Sequence, residues 1–273
     1  MPDLRLFVTD VDRTLLTHDH ALPSRVAGAL SAMQDAGVRV ILATARSPAG
    51  LRPYAERLRA SDLAICFNGG WIGDVSTSTA LSRQPIERRI ALEVMQVAQA
   101  AGANPMWFGS SGIHVLDDSE PVAREARITS ESLVVVSHVD ELPGEPGKIM
   151  CVALAPSAGR AFDLLREQFG PRLSVSASHA RLLEIGPPGV SKLTAVEAVA
   201  SWLGIAREDC AAAGDAENDL GMLGWAGTAV TVENALPEVR KLASFVGSSC
   251  DSGGVADGIA WLMSRQTAQA EAF

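Results

Sequence analysis

The chain has 273 residues and a formal net charge of −9, from 23 basic and 32 acidic residues. Hydrophobic residues make up 47% of it, which is enough for a sizeable core and argues against disorder. The acidic balance argues against a general nucleic-acid-binding protein, which would need a basic face. No signal peptide is visible, and no uncharged apolar run reaches the roughly 18 residues of a membrane span, so we expect a cytoplasmic protein without a membrane partner.

The four cysteines are too widely spaced for a zinc site or a disulfide framework. No two of them form a CxxC pair, and buried free thiols are therefore predicted. They are Cys66, Cys151, Cys210 and Cys250.

Apolar runs and helical patterns alternate over the first 80 residues. Short apolar runs predict strands at 4–8, 38–44 and 63–70. Helices are predicted between them, and the second has Ser47 as an N-cap and Pro48 at its first position. This β-α-β-α-β order predicts an α/β fold with a doubly wound parallel sheet and right-handed crossovers.

The alternation of predicted strands and helices stops near residue 80 and resumes after residue 186. A hairpin with Gly112 in its turn is predicted at 104–116, and further strands indicate an α+β unit with an antiparallel sheet. After it come helices at 191–204 and 217–227 and strands at 210–215 and 228–232. The predicted layout is a core domain, 1–80 plus 186–273, interrupted by an inserted α+β domain, 81–185.

Polar groups follow several of the predicted strands. They are Asp10 and Asp12 after the first strand, Thr44 after the second, Asp215, Asn218 and Asp219 after a later one, and Lys192 at the start of a helix. Ligands of open parallel sheets bind beyond the carboxyl ends of the strands. Clustered carboxylates require a cation to compensate their charge. A set of oxygen ligands favours Mg²⁺ as that cation. Mg²⁺ together with a lysine would attract a phosphate.

Each of these residues also has an ordinary interpretation. The Asp10–Asp12 pair alone is typical of a turn, Thr44 of a turn or cap, and Lys192 of a solvated helix start. The acidic segment after residue 214 could be a helix N-cap. A P-loop is rejected, because Ser191 rather than glycine precedes the lysine and leucine follows it.

The histidines show no metal-binding spacing. His18 and His20 are interpreted as a polar loop. For His179, both an exposed loop position and a substrate contact remain open.

The ordered motifs resemble the haloacid dehalogenase (HAD) superfamily, specifically its Cof-like phosphatases with a large α+β cap of class IIB. "DVDRTLL" is similar to the family's DxDGT(L/V) motif and "ATAR" to its ATGR motif. "GVSKLTAV" resembles GxSKGxAL, and "GDAENDLGML" resembles GDxxNDxxM. "FNGG" and the stretch from "VENALPEV" to "GGVA" also match. The resemblance runs from residue 4 to about 260, but the insert matches only in length and position.

This resemblance implies a role for each matching residue. Asp10 would be the nucleophile that becomes an aspartyl phosphate, and Asp12 the general acid and base. Asp10 and Asp215 would bind Mg²⁺ with the Asp12 carbonyl. The implied phosphate-binding residues are Thr44, Ala45, Arg46, Asn68, Lys192 and Asn218, and the implied metal set is Asp10, Asp12, Asp215 and Asp219.

Two positions depart from the family pattern, since Arg13 and Ala45 stand where glycine is usual. Neither change removes a reacting group. We therefore expect a Mg²⁺-dependent phosphatase acting on a small phosphorylated metabolite, a sugar phosphate, as a monomer or homodimer. The alternatives are a phosphomutase or phosphotransferase on the same scaffold, or a non-catalytic phosphate-binding module.

Overall fold

The structure is a computed structural model that describes residues 3–109, 112–129, 131–153 and 158–270. The strands are β1 Leu6–Thr9, β2 Arg39–Leu42, β3 Ala64–Cys66, β4 Trp71–Asp74, β5 Thr79–Arg83, β6 Asn104–Gly109, β7 Gly112–Val115, β8 Leu133–Val135, β9 Lys148–Val152, β10 Ser174–His179, β11 Leu182–Gly186, β12 Cys210–Ala213, β13 Thr228–Val232 and β14 Phe245–Gly247. The helices are α1 Ser24–Asp35, α2 Pro48–Arg57, α3 Arg88–Ala100, α4 Glu120–Thr129, α5 Ala158–Phe169, α6 Lys192–Leu203, α7 Leu220–Trp225, α8 Pro237–Leu242 and α9 Val255–Ala270.

A parallel sheet forms the centre of the molecule, with strand order β14-β13-β12-β1-β2. A single parallel bridge, Ala43 to Ile65, places β3 beside β2. The central strands are apolar because helices cover them, and β1 and β12 are buried throughout. The predicted α/β fold with a parallel sheet is confirmed.

A small antiparallel sheet, β3-β4-β5, adjoins the central sheet. Its last strand, β5, spans the boundary that the sequence places between residues 80 and 81. Strand β11 likewise runs across the return point at residue 185. The division into 1–80 plus 186–273 and 81–185 therefore stays a prediction.

The third sheet has six strands in the order β10-β11-β9-β6-β7-β8. The predicted hairpin is present as β6 and β7, and Gly112 has the positive φ of +119° that glycine adopts readily. Four of the five strand pairs in this sheet are antiparallel, as predicted, and one pair, β7 with β8, is parallel. An apolar cluster, which includes Trp107 and Phe169, lies against this sheet.

Helix α4 was not predicted from the sequence. Its segment is rich in charged residues, and its buried positions, Val122, Glu125 and Ala126, have helical spacing but include a carboxylic acid, so an apolar stripe is interrupted in the sequence. Because α4 brings side chains to the cavity described below, this omission also hid part of the candidate site.

All four cysteines are buried and free, as predicted. Within the described part of the chain, no helix combines the length and apolar character needed to cross a membrane.

Candidate active site

The carboxyl ends of β1, β2 and β12 meet at one edge of the central sheet. They bring Asp10, Thr44 and Asp215 together, because parallel strands end on the same side. The Asp10 amide donates to the Ala213 carbonyl at 2.8 Å, so the backbone continues the β1–β12 pairing up to the first aspartate. A cavity of about 130 Å³ opens at this edge, lined by Asp10, Asp12, Thr44, Ala45, Arg46, Asp215 and Asn218.

Lys192 links two aspartates inside the protein. Its Nζ donates to Asp10 Oδ1 at 2.5 Å and to Asp219 Oδ1 at 2.7 Å. Ser191 caps α6 by accepting from the Thr194 amide, which places Lys192 at the first helical position. The side chain is 0% exposed, so the alternative of a solvated lysine is wrong. Burial disfavours the charged amine, but Asp10 and Asp219 outweigh it and raise the pKa of Lys192.

Three carboxylates lie together around this lysine. Asp10, Asp215 and Asp219 each offer an oxygen within 4.8 Å of the others, a set that could hold a metal ion. Burial, opposed in part by Lys192 and reinforced by Asp219, raises the pKa of Asp10 to about 7. Burial and the charges of Asp10 and Asp219 raise the pKa of Asp215 well above its usual value. This cluster therefore carries more negative charge than Lys192 neutralises.

Asp219 accepts more hydrogen bonds than Asp10 or Asp215. Its Oδ2 accepts from the backbone amides of Asp215 at 2.9 Å and Ala216 at 3.0 Å, while its Oδ1 accepts from Lys192. Asp215 is held by the Thr14 hydroxyl, 3.0 Å from its Oδ1. Asp219 thus fixes the loop that presents Asp215.

Asp12 is held on the opposite side of the cavity floor by Arg46. The guanidinium donates through Nε to Oδ2 at 2.8 Å and through a terminal nitrogen to Oδ1 at 2.7 Å. His20 Nδ1 lies 2.9 Å from the same Oδ1. Burial would raise the pKa of Asp12, but the charge and hydrogen bonds of Arg46 outweigh it and hold that pKa below its usual range.

Two interpretations change with this geometry. From the sequence, Arg46 was predicted to bind phosphate. In the structure its guanidinium contacts Asp12. His20 was interpreted as part of a polar loop and in fact contacts the same carboxylate. The Thr44 hydroxyl, buried at the second strand end, accepts from the Arg46 amide at 3.1 Å.

The remaining predicted residues lie around the same edge. Asn218 Nδ2 donates to Asn68 Oδ1 at 3.0 Å, and Asn218 Oδ1 is buried without a hydrogen-bond partner among the described residues. Asn68 and Lys192 line an adjoining cavity of about 280 Å³ that also includes Asn218. The structure thus brings all the predicted site residues to one end of the central sheet.

The far wall of the main cavity comes from the segment between β5 and α6. It includes Arg124 and Glu125 from α4, Lys148 from β9, and His179 and Arg181 at the β10–β11 turn. His179 was singled out from the sequence, but the others carry no motif. Their only signal was charge, which does not distinguish a cavity wall from a solvated surface.

An ion pair joins this segment to the loop after β12. Arg166 on α5 donates two hydrogen bonds to Glu217, at 2.9 and 2.7 Å, and the Ala177 amide lies 3.4 Å from the same carboxylate. Glu217 lies between Asp215 and Asn218 in sequence, so the contact connects the cavity wall to the carboxylate cluster.

The comparisons with known proteins match this arrangement. The sequence pattern of the haloacid dehalogenase-like hydrolases matches residues 7–259, and the chain belongs to this family. The M6_Spy0533 protein of Streptococcus pyogenes serotype M6 is 27% identical over 94% of this chain and 97% of its own length. The HMP-PP phosphatase of Cronobacter sakazakii is 28% identical over 86% of each chain.

Solved structures show the same fold. A haloacid dehalogenase-like hydrolase from Bacteroides thetaiotaomicron superposes with a TM-score of 0.84, at 24% identity over 95% of this chain and all of the other. The HAD subclass IIB sugar phosphatase BT4131 has a TM-score of 0.80 at 18% identity, over 94% and 98%. The predicted family and the hydrolase class are confirmed, and phosphatase is the activity that these relatives carry in their names.

Proposed function

We propose that the chain is a Mg²⁺-dependent phosphatase that hydrolyses a small phosphorylated metabolite, a sugar phosphate, through an aspartyl phosphate on Asp10. The observation that carries the proposal is the placement of Asp10, which lines the cavity while Lys192 holds only its Oδ1. The carboxylate is thereby oriented and still has an oxygen for attack. The names of the HMP-PP phosphatase and of the sugar phosphatase support the reaction class.

The reaction has two halves that use the same two aspartates. In the first, an Asp10 oxygen bonds to phosphorus while the leaving oxygen departs and takes a proton from Asp12. In the second, Asp12 accepts a proton from water as the water attacks phosphorus and releases Asp10. Arg46 stabilises the ionised Asp12 that this second half requires, and Lys192 offsets charge near the phosphoryl group.

The carboxylate cluster fits Mg²⁺ in its ligand type and in its uncompensated charge. Asp10 and Asp215 would hold the ion together with the Asp12 carbonyl. Asp219, whose oxygens already accept from Lys192 and two backbone amides, would act by positioning that lysine and the loop. When bound, Mg²⁺ neutralises charge on the carboxylates and on the phosphate.

We also propose that residues 81–185 act as a cap that supplies recognition of the leaving group. The cavity supports this assignment, since strand ends of the central sheet form one side and charged side chains of the segment form the other. Such an arrangement shields the reacting atoms from bulk water.

Phosphate release from sugar phosphates and from p-nitrophenyl phosphate tests the proposal. Excess chelator should stop release, Mg²⁺ should restore it, and Ca²⁺ should inhibit because it prefers more ligands at longer distances. Asp10→Asn should lower kcat by at least about 1,000-fold with the fold intact, whereas the exposed Asp62→Asn should not. Full turnover in chelator, or Asp10→Asn within about tenfold of wild type, would refute it. Transfer to an added alcohol without free phosphate would indicate the phosphotransferase alternative.

A further inference from the structure

Three arginines reach the main cavity from three separate parts of the fold. Arg13 follows β1, Arg124 lies on α4, and Arg181 lies at the β10–β11 turn. Within the part of the chain that the structure describes, none of these three side chains forms an ion pair with a carboxylate. They are positive groups facing a common space without a protein counter-charge in contact.

The other strong cations of the cavity differ in this respect. Arg46 is paired with Asp12, and Lys148 donates to Glu184 at 2.8 Å. Glu125 is the remaining carboxyl of this wall, and burial raises its pKa, which favours its neutral form. Even with Glu125 ionised, the three arginines exceed it, so the wall carries a net positive charge.

His179 lies close to these charges. Burial first, and then the charges of Arg13 and Arg181 with smaller contributions from His18 and Arg124, lower its pKa to about 4. Its Nδ1 accepts a hydrogen bond from the Arg181 amide at 3.2 Å, as a neutral imidazole can. The imidazole therefore lies in a positive field, to which the three arginines and His18 contribute.

The backbone of Arg13 has an unfavourable conformation. Its φ is +61°, in the left-handed region that glycine adopts readily and other residues adopt at a penalty. The Asn234 side chain holds this backbone by donating to the Arg13 carbonyl at 2.9 Å. A glycine here would remove the penalty, and what the arginine adds is a cation at the cavity.

We propose that Arg13, Arg124 and Arg181 bind a second anionic group of the substrate. The substrate would then be a phosphate monoester whose leaving group carries a carboxylate or a further phosphate. This inference rests on the proposed function, in which Asp10, Lys192 and Mg²⁺ serve the transferred phosphoryl group. Arg124 and Arg181 lie on the wall where the leaving group would extend, and Arg13 lines the same cavity from the segment after β1.

Matched substrate pairs test the charge requirement and separate its two forms. For the carboxylate the pair is 6-phosphogluconate against sorbitol 6-phosphate, and for the phosphate it is fructose 1,6-bisphosphate against fructose 6-phosphate. Both members of a pair carry the phosphate monoester, and only one carries a second anionic group. We expect kcat/KM for that member to exceed the value for its match by at least about tenfold in one of the pairs, as for a charge-assisted contact. Equal values in both pairs would overturn the inference.

Variants then assign any preference to the arginines. Arg13→Gly and Arg181→Ala should each lower the ratio of the two kcat/KM values by about tenfold. Arg13→Gly relieves the backbone penalty, so a folding defect is not expected to obscure it. Arg127→Ala removes the same charge from the outer side of α4 and should leave the ratio unchanged. An unchanged ratio in the first two variants, or an equal loss on both members of a pair, would refute a second anion site.

Binding to Asp10→Asn separates this inference from the proposed function. Calorimetry with that variant needs no turnover, and it should show tighter binding of the preferred compound, which carries the second anionic group, than of its match without that group. Absence of phosphate release from every ester by wild type, with this binding preference intact, would overturn the phosphatase assignment alone. Release without any binding preference would overturn only the second anion site.

Discussion

The two sides of the cavity each contain a buried lysine, and the two lysines differ in their surroundings. On the side of the central sheet, Lys192 bridges Asp10 and Asp219 and has 0% exposure. On the side of the six-stranded sheet, Lys148 pairs with Glu184 at 2.8 Å and lies 4.3 Å from the centre of the Phe108 ring. In the proposed function the first lysine orients the nucleophile Asp10, whereas the second forms part of the opposite wall of the cavity.

This difference extends to the neighbouring side chains. Around Lys192, the cluster aspartates are held by hydrogen bonds from Thr14 and from backbone amides. On the opposite wall, Arg124 and Arg181 have no ion-pair partners among the described residues. A reaction common to many substrates requires fixed groups, while recognition of a particular leaving group requires groups that are free to contact it.

Exchange of the two lysines for methionine tests this comparison most directly. Each change leaves buried carboxylates unpaired, so each should lower the free energy of unfolding by about 3–5 kcal/mol. Lys192→Met should also lower kcat for p-nitrophenyl phosphate by about 1,000-fold, because Asp10 loses its orientation. Lys148→Met should lower it by less than about tenfold. Denaturant unfolding and initial rates provide the measurements, and equal losses of kcat would contradict the division of roles.

The sequence predicts the central side of the cavity well for a physical reason. Parallel strands bring their carboxyl ends to one edge, so Asp10, Thr44 and Asp215 converge wherever the intervening chain runs. Residues 24–35 and 48–57 also have clear helical signals, including the Ser47 cap that accepts from the Gly50 amide. The α/β alternation therefore predicted both the fold and the place where polar groups meet.

The opposite wall could not be predicted in the same way. Arg124 depends on α4, whose buried face includes the charged residue Glu125, and Arg181 depends on the register of the β10–β11 hairpin, which contains an irregularity. The contact of Arg46 with Asp12 is a side-chain orientation, and a motif specifies residue type rather than direction. His20 reaches Asp12 because the loop after β1 folds back within eight residues, a loop conformation that no periodic pattern indicates.

The second prediction concerns the ion pair between Arg46 and Asp12. Arg46→Gln removes the charge that keeps the Asp12 pKa low, so that pKa should rise. The ionised form would then be lost at higher pH, and the acidic limb of kcat should move upward. We expect kcat at neutral pH to fall by about 10- to 100-fold. Arg52→Gln is the matched control, since Arg52 lies on α2, six residues after Arg46, but donates to the Val75 carbonyl. The same pH shift in both variants would argue against the contact.

The uncompensated charge of the aspartate cluster gives the third prediction. The Asp10 pKa of about 7 is raised in the fold, so its contribution to stability is present at low pH and is lost as pH rises through that value. Mg²⁺ competes with the proton, and should therefore stabilise the protein more at about pH 8 than at about pH 5.5.

Melting temperatures with and without Mg²⁺ at both pH values measure this difference. Asp10→Asn should reduce it, because the amide does not titrate, while Asp215, whose pKa is also raised, should retain part of it. A stabilisation by Mg²⁺ that is equal at the two pH values would mean that the ion binds away from these carboxylates.

The smallest expected effect concerns the contact that joins the two sides, Arg166 with Glu217. Both side chains are about one-third exposed, at 35% and 38%, so the pair should contribute only about 0.2–1 kcal/mol to the free energy of unfolding. Its position matters more than its energy, because Glu217 lies in the loop that carries Asp215 and Asn218. Arg166→Ala and Glu217→Gln should each raise KM for a metabolite ester by a few-fold and change p-nitrophenyl phosphate turnover less.

In the double variant the KM effects should be less than additive, since either change alone already breaks the pair. Arg172→Ala, which breaks an exposed pair with Glu93 within the 81–185 segment, is the control. If all three single variants raised KM equally, the effect would come from lost surface charge and not from a link between the cavity wall and the aspartate cluster.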